Sequence, residues 1–197
     1  MNDDYYQQNA QRFYDDTVDV DMSALYAPFL AHLSPGARIL DAGCGSGRDT
    51  KAFSERGYEV EAFDASAELA ARARQLTGKS VEVMRFRELH TVEKYDGIWC
   101  CASLLHVPEN ELSEVMARLA RALKPGGVWY LSFKYGHGER EKDGRRFTDM
   151  DEASLRKIVA GSGVEIEKVW FTGDARRGRE AERWLNALLI RNTPMRN

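Results

Sequence analysis

The residues Asp41-Ala42-Gly43-Cys44-Gly45-Ser46-Gly47 are the segment whose types and spacing point most directly to ligand chemistry. Glycines at alternate positions let a backbone turn sharply and approach a ligand where a Cβ would collide with it. A dinucleotide fingerprint, G-x-G-x-x-G, begun at Gly43 would need its third glycine at position 48, and that residue is Arg48, so the spacing weakens a pyrophosphate-binding reading. Two histidines stand where a proton could be handled: His106, just past a predicted strand, is the candidate catalytic residue, and His137, in a polar segment, is the second choice. Lone histidines are as readily structural. Cationic residues gather late in the chain, at Lys134, Arg140, Arg145, Arg146, Arg176, Arg177 and Arg179, and arginine forks suit carboxylate or phosphate. Lys134, Tyr135, Arg145, Arg146 and Arg177 are the candidate contacts to an anionic small molecule, although charge runs also form solvated faces.

These residues must be held by a scaffold. Short apolar runs of strand length alternate with longer amphipathic stretches, the pattern of βαβ units and a mostly parallel sheet. Predicted strands are 37–41, 58–63, 81–86, 97–102, 128–133, and two closing strands near 165–171 and 183–191. Helices are expected at 48–56, at 66–76 capped by Ser66 and ended by Thr77-Gly78, at 109–123 and at 151–160. The Gly136–Arg146 segment, polar and glycine-punctuated, reads as a mobile loop over a site. The stretch from Tyr5 to Leu33 is helical in character and is expected to pack outside the sheet, over its edge or open end. The chain of 197 residues, 43% hydrophobic, is read as one domain: residues 1–33 a helical cap, residues 34–197 the sheet and its helices.

Composition narrows the partners. With 28 basic and 31 acidic residues and a net charge of -3, no global field draws the chain to DNA or an anionic membrane, and RNA binding is disfavoured. The acidic, polar start lacks the features of a secretory signal, and the apolar run from Gly97 to Val107 is too short to span a bilayer, so a cytoplasmic protein is expected. Cys44, Cys100 and Cys101 lack zinc-site spacing and read as reduced and structural, with no metal expected.

The D-x-G-x-G-x-G loop resembles the first motif of class I S-adenosylmethionine-dependent methyltransferases. Three further matches follow in order: Asp64 at the end of the second strand, Lys94-Tyr95-Asp96-Gly97-Ile98 through Leu104-Leu105-His106-Val107-Pro108, and Leu123-Lys124-Pro125-Gly126-Gly127. The chain looks closest to the small stand-alone enzymes, including those grouped with the tellurite-resistance methyltransferases. The resemblance implies a Rossmann-like three-layer α/β sandwich with a seven-stranded sheet, order 3-2-1-4-5-7-6, the last strand antiparallel. It implies that S-adenosylmethionine is the cofactor and S-adenosylhomocysteine the product. Asp41, Gly43, Cys44, Gly45 and Gly47 would pass beside its amino-acid part and ribose, and Asp64, with Ala65 next to it in the cofactor site, would take both ribose hydroxyls, since a carboxylate offers several acceptor sites in one plane. Many relatives carry an acid after the third strand that meets the adenine amino group. Here the segment is Met84-Arg85-Phe86-Arg87, so the adenine contact falls to backbone at Arg85 and Phe86. Cys101 and Ala102 would line the pocket after the fourth strand. Tyr5, Tyr6, Phe13 and Tyr14 are candidates to close it, with Tyr6 and Phe13 foremost, and an aromatic face near a sulfonium would be a favourable cation-π contact.

The expected function is methyl transfer to a small anionic molecule by a monomer. Two other readings stay open: methylation of tRNA or another macromolecule, and a cofactor-binding module without catalysis.

Overall fold

The computed structural model describes residues 2–194. In chain order the elements are α1 (Asn2–Thr17), α2 (Ser23–Leu30), β1 (Arg38–Ala42), α3 (Arg48–Glu55), β2 (Glu59–Asp64), α4 (Ala67–Thr77), β3 (Val81–Val83), β4 (Tyr95–Cys100), α5 (Glu109–Ala122), β5 (Leu123–Lys134), β6 (Gly138–Lys142), β7 (Arg145–Asp149), α6 (Glu152–Val159), β8 (Val164–Gly173) and β9 (Arg183–Arg191). Short 3-10 turns at Phe86–Glu88 and Leu104–His106 follow β3 and β4.

A seven-stranded sheet runs β3-β2-β1-β4-β5-β9-β8. The first five of these strands pair in parallel, while β9 is antiparallel to both β5 and β8. This is the Rossmann-like α/β architecture implied by the sequence. The strands β6 and β7 form a separate two-stranded sheet between β5 and α6, so the two closing strands are the eighth and ninth in the chain rather than the sixth and seventh.

Alternation along the strands builds two cores from one sheet. Leu40, Ile98, Cys100, Trp129 and Leu131 face α5 and α6, where Leu112, Val115, Met116 and Leu119 recur at helical spacing along a buried stripe. Ile39, Trp99, Val128 and Tyr130 face the other way, against Phe53 of α3 and against Tyr26 and Phe29 of α2. Trp99 stacks on Tyr130 with ring centroids 4.0 Å apart. The helix starts follow local chemistry. Ser66 accepts the Leu69 N–H and Asp151 accepts the Ser154 N–H, each satisfying a first-turn donor.

Two expectations change here. The N-terminal region does not sit only at the sheet's edge or open end, because α2 buries Phe29 completely against a sheet face. Only α1 lies over the open end, tied to α4 by Gln11 accepting from Arg72 and by Arg72 over the Tyr14 ring. The segment read as a mobile loop is largely the β6–β7 hairpin, whose register pairs Lys142 with Arg145 across the two residues Asp143 and Gly144. Both have positive φ, 53° and 72°, the conformation of a tight hairpin turn.

Candidate active site

A cavity of about 550 Å³ opens at the carboxyl ends of the parallel strands, where the strand order reverses between β1 and β4. Its floor is the loop after β1. The Gly43 and Cys44 N–H groups both donate to the Phe63 carbonyl at 3.0 Å, pinning that loop to β2. Gly43 and Gly45 have φ of 75° and 54°, and a Cβ would lie 2.5 Å from Ser103 Cβ at the first and 3.0 Å from the Phe13 ring at the second. The absence of side chains at Gly43 and Gly45 lets Ser103 and Phe13 pack close on the loop, which itself lines the cavity. Asp64, the last residue of β2, accepts the Gly45 N–H on one carboxylate oxygen at 2.8 Å and the Ser66 N–H on the other at 2.9 Å. Met84, Arg85 and Phe86 line one end of the cavity, with the Phe86 ring edge-on to Phe63 at 5.4 Å.

Beneath the loop lies a buried charged network. Arg48 pairs with Asp49 through two hydrogen bonds of 2.8 and 3.0 Å, and the Asp49 carboxylate also accepts from the Tyr26 hydroxyl and the Trp99 indole. Burial pushes the Asp49 carboxyl up, but the Arg48 charge and these three donors outweigh it and hold it below the ordinary range. Asp41 is the reverse case: burial, reinforced by the neighbouring Asp49 charge, pushes it up to about 8, with the Thr50 hydroxyl opposing. Its folded state therefore prefers the proton, and stability falls as pH rises from the ordinary carboxyl range of about 4 towards about 8. Asp41→Asn, which mimics the protonated form, is expected to gain stability over the native chain across that window. Urea midpoints compared at about pH 5 and about pH 8 check this, a constant difference at both being the contrary result.

The far end of the cavity combines aromatic and cationic side chains. Tyr6 and Phe13 of α1 meet edge-on at 5.1 Å, and the Tyr6 hydroxyl lies 2.7 Å from His106 Nε2. The hairpin contributes Arg145, Arg146 and Phe147, and the closing strands contribute Thr172, Trp184 and Asn186. Much of the positive charge is already answered. Lys134 pairs with Glu182, Arg176 forks onto Asp174, and Arg140 pairs with Asp149. The Trp184 indole also donates to Asp174.

Most residues picked from the sequence converge on this cavity: Tyr6, Phe13, Gly43, Cys44, Gly45, Asp64, Ala65, Arg85, Phe86, Cys101, Ala102, His106, Lys134, Arg145 and Arg146 all line it. Four do not. Asp41 shares the face of Ile39, so its side chain turns under α3 to Thr50 and away from the loop. Gly47 caps α3, where a Cβ would meet Ala73 at 2.9 Å, so it serves the packing of α3 on α4. Tyr135 points outward, edge-on to Phe171 and under Arg183, and Arg177 is exposed. His137 is also outside, beside Ser154 and Asp151. Tyr14 faces Arg72 instead of the cavity, and Tyr5 stacks under Arg145. Burial pushes the Cys101 thiol up to about 12, and raises Cys44 and Cys100 as well, so all three stay protonated at neutral pH. Among the described residues, no group of three His, Cys, Asp or Glu side chains is arranged to hold a metal ion. No helix among them is long and apolar enough to cross a membrane.

Sequence reading missed Asn2, Arg48, Asp174 and Trp184, all cavity-lining. Arg48 alone had a signal, as the residue directly after the glycine loop at the first turn of a helix. The others are placed by contacts distant in sequence.

Comparison with known proteins agrees with this geometry. Residues 39–127 match the family model described as a methyltransferase domain. A ubiquinone biosynthesis O-methyltransferase from Xanthomonas campestris is 35% identical over 106 residues, covering 50% of this chain and 43% of the relative. The chain thus spans less than half the length of the curated relatives it matches. Among solved structures, a Burkholderia thailandensis 1,6-didemethyltoxoflavin-N1-methyltransferase with bound 1,6-didemethyltoxoflavin and S-adenosylhomocysteine superposes with a TM-score of 0.80 at 23% identity, covering 97% of this chain and 87% of that one. Magnesium protoporphyrin IX methyltransferase from Synechocystis, with bound S-adenosylmethionine, gives a TM-score of 0.74 at 20% identity, over 96% and 94% of the two chains. At these identities the structural likeness concerns the fold. Residues 39–127 thus match a methyltransferase domain, and the glycine loop, the acid ending β2 and the cleft at the sheet's switch point accompany that match.

Proposed function

We propose that this chain transfers a methyl group from S-adenosylmethionine to a small anionic molecule. The observation that carries this reading is the continuity of one cavity, with the bare glycine loop and Asp64 at one end and an aromatic, arginine-bearing chamber at the other. Its volume falls within the range of small-molecule sites.

The residues present fit the cofactor. Asp64, held at the cavity wall by the Gly45 and Ser66 N–H groups, is a multi-site acceptor of the kind that suits ribose hydroxyls. Met84 and Phe86 offer apolar surface for an adenine ring, and the loop at Gly43 and Gly45 lines the same cavity. When bound, the cofactor supplies a methyl carbon on a positively charged sulfonium, which is already activated for displacement. The protein's work is then to align an acceptor and keep out water. Tyr6 and Phe13 roof the cavity from α1, the hairpin closes it from the other side, and Arg145 provides a cation among aromatic walls. The toxoflavin-type and ubiquinone-pathway relatives are small-molecule methyltransferases by name, which supports a small acceptor here.

Calorimetric titration with S-adenosylmethionine tests the first half, and transfer of labelled methyl to a panel of anionic aromatic acceptors tests the second. Saturable binding followed by labelled product is the expected result. Binding without product across a broad panel would favour a cofactor-binding module, and absence of binding would remove the reading altogether.

A further inference from the structure

Asn2, Tyr6, His106 and Arg145 meet at the acceptor end of the cavity. The Asn2 amide has a determined orientation. Its Oδ1 accepts the Arg146 N–H at 2.8 Å, which only the oxygen can do, so Nδ2 donates to the Arg146 carbonyl at 2.8 Å and faces His106 Nδ1 at 3.1 Å. An amide nitrogen is a donor only, so Nδ1 accepts and the proton of the neutral imidazole resides on Nε2. The Arg146 carbonyl, 3.4 Å from Nδ1, is the longer and weaker contact. Nε2–H then donates to the Tyr6 oxygen at 2.7 Å, and that oxygen also receives Arg145 Nη1 at 3.4 Å.

With two donors on its oxygen, the Tyr6 hydroxyl directs its own hydrogen into the cavity it lines. Burial raises this hydroxyl, with Arg145 opposing, so it stays protonated and acts as a donor. Arg145 lies over the Tyr5 ring at 4.5 Å and the Phe147 ring at 5.1 Å, and its Nε is buried without a hydrogen-bond partner. Lys134, Arg140 and Arg176 each have a carboxylate, whereas no carboxylate pairs with Arg145 among the described residues. The tyrosine hydroxyl and the guanidinium meet at one point, which suits one anionic oxygen better than the two-oxygen fork of a carboxylate. Phe147 and Trp184 give the chamber flat apolar walls.

We propose that Tyr6 and Arg145 anchor an acceptor that enters as an aromatic oxyanion, a ring hydroxyl already ionised, and that His106 is a positioning residue holding Tyr6. The proposal rests on the methyltransferase reading of this cavity. It removes His106 from the role of general base expected from sequence, because a base needs a lone pair facing the proton, and here Nδ1 is engaged by Asn2 and Nε2 carries hydrogen.

The test uses para-nitrophenol, whose ionised form absorbs visible light, added to protein saturated with S-adenosylhomocysteine. Binding as the phenolate is expected, with affinity falling about ten- to a hundred-fold in Tyr6→Phe and in Arg145→Gln, the loss of one hydrogen bond to a charged group. His106→Gln, whose amide can still donate to Tyr6, should keep most of the affinity that His106→Phe loses. Melting curves confirm that each variant is folded. Failure of S-adenosylhomocysteine to bind, read by calorimetry, would overturn the methyltransferase reading and this inference with it. Intact S-adenosylhomocysteine binding overturns the anchor alone in either of two cases: if para-nitrophenol binds as the neutral phenol, or if Tyr6→Phe and Arg145→Gln both leave its affinity unchanged. Benzoate binding more tightly than para-nitrophenolate would overturn the assignment to a ring hydroxyl in favour of a carboxylate. Equal loss in His106→Gln and His106→Phe would overturn the positioning role.

Discussion

Replacing Asp49 with alanine should destabilise the fold by about 3–5 kcal/mol, the cost typical of breaking a buried ion pair from one side. Asp49 is 6% exposed and accepts from Arg48, Tyr26 and Trp99, so its removal orphans three donors, one of them a cation in the interior. The same carboxylate joins α2, through Tyr26, to the central strand β4, through Trp99. The N-terminal helices should therefore loosen along with the sheet. Thermal denaturation should show a drop in Tm of roughly 10 °C, and Asp49→Asn, which keeps an acceptor oxygen, should recover part of it. A melting point unchanged within a degree or so in Asp49→Ala would mean that the network contributes little.

The second large effect is on the cofactor. Asp64→Ala is expected to weaken S-adenosylmethionine binding at least about a hundred-fold, because two hydroxyl donors would lose a charged acceptor and the Gly45 N–H would lose its partner as well. Asp64→Asn separates the two contributions. It retains an oxygen that can take one donor and should fall between the native protein and Asp64→Ala. Calorimetry on variants with native-like melting curves gives the comparison, and equal affinity in Asp64→Ala and native protein would place the ribose elsewhere.

The glycine-loop end of the cleft was legible in the sequence because its chemistry is local. Glycine spacing marks a backbone that must come close to a ligand, and the strand that ends in Asp64 follows the loop after a single helix. The acceptor end was legible only in part. Lys134 and Arg176 were recognisable as cations, but Glu182 and Asp174 neutralise them through the fold, and no periodicity links Lys134 to a residue 48 positions away. Asp41 was misplaced because strand alternation, and not the motif, sets which way a side chain points. The β6–β7 hairpin did carry a readable signal, since Asp143-Gly144 is a favoured two-residue turn between paired strands. That signal was masked by the polarity of the residues around it. Asn2 left no trace in the pattern, since a single amide acquires meaning only from the backbone opposite it.

The position of the hairpin within the chain has a consequence for diversification. The segment matched to the methyltransferase domain ends at residue 127, and it builds the glycine loop, Asp64 and the Met84, Arg85 and Phe86 end of the cleft. Arg145, Phe147, Asp174 and Trp184 come from after that boundary, while Asn2 and Tyr6 come from before residue 39. The β6–β7 unit has its own two-stranded ladder and is absent from the ladder of the main sheet. Under the proposed function, the acceptor contacts other than His106 thus come from outside the matched stretch, and exchange of the hairpin would change the acceptor walls while leaving the glycine loop and Asp64 unaltered.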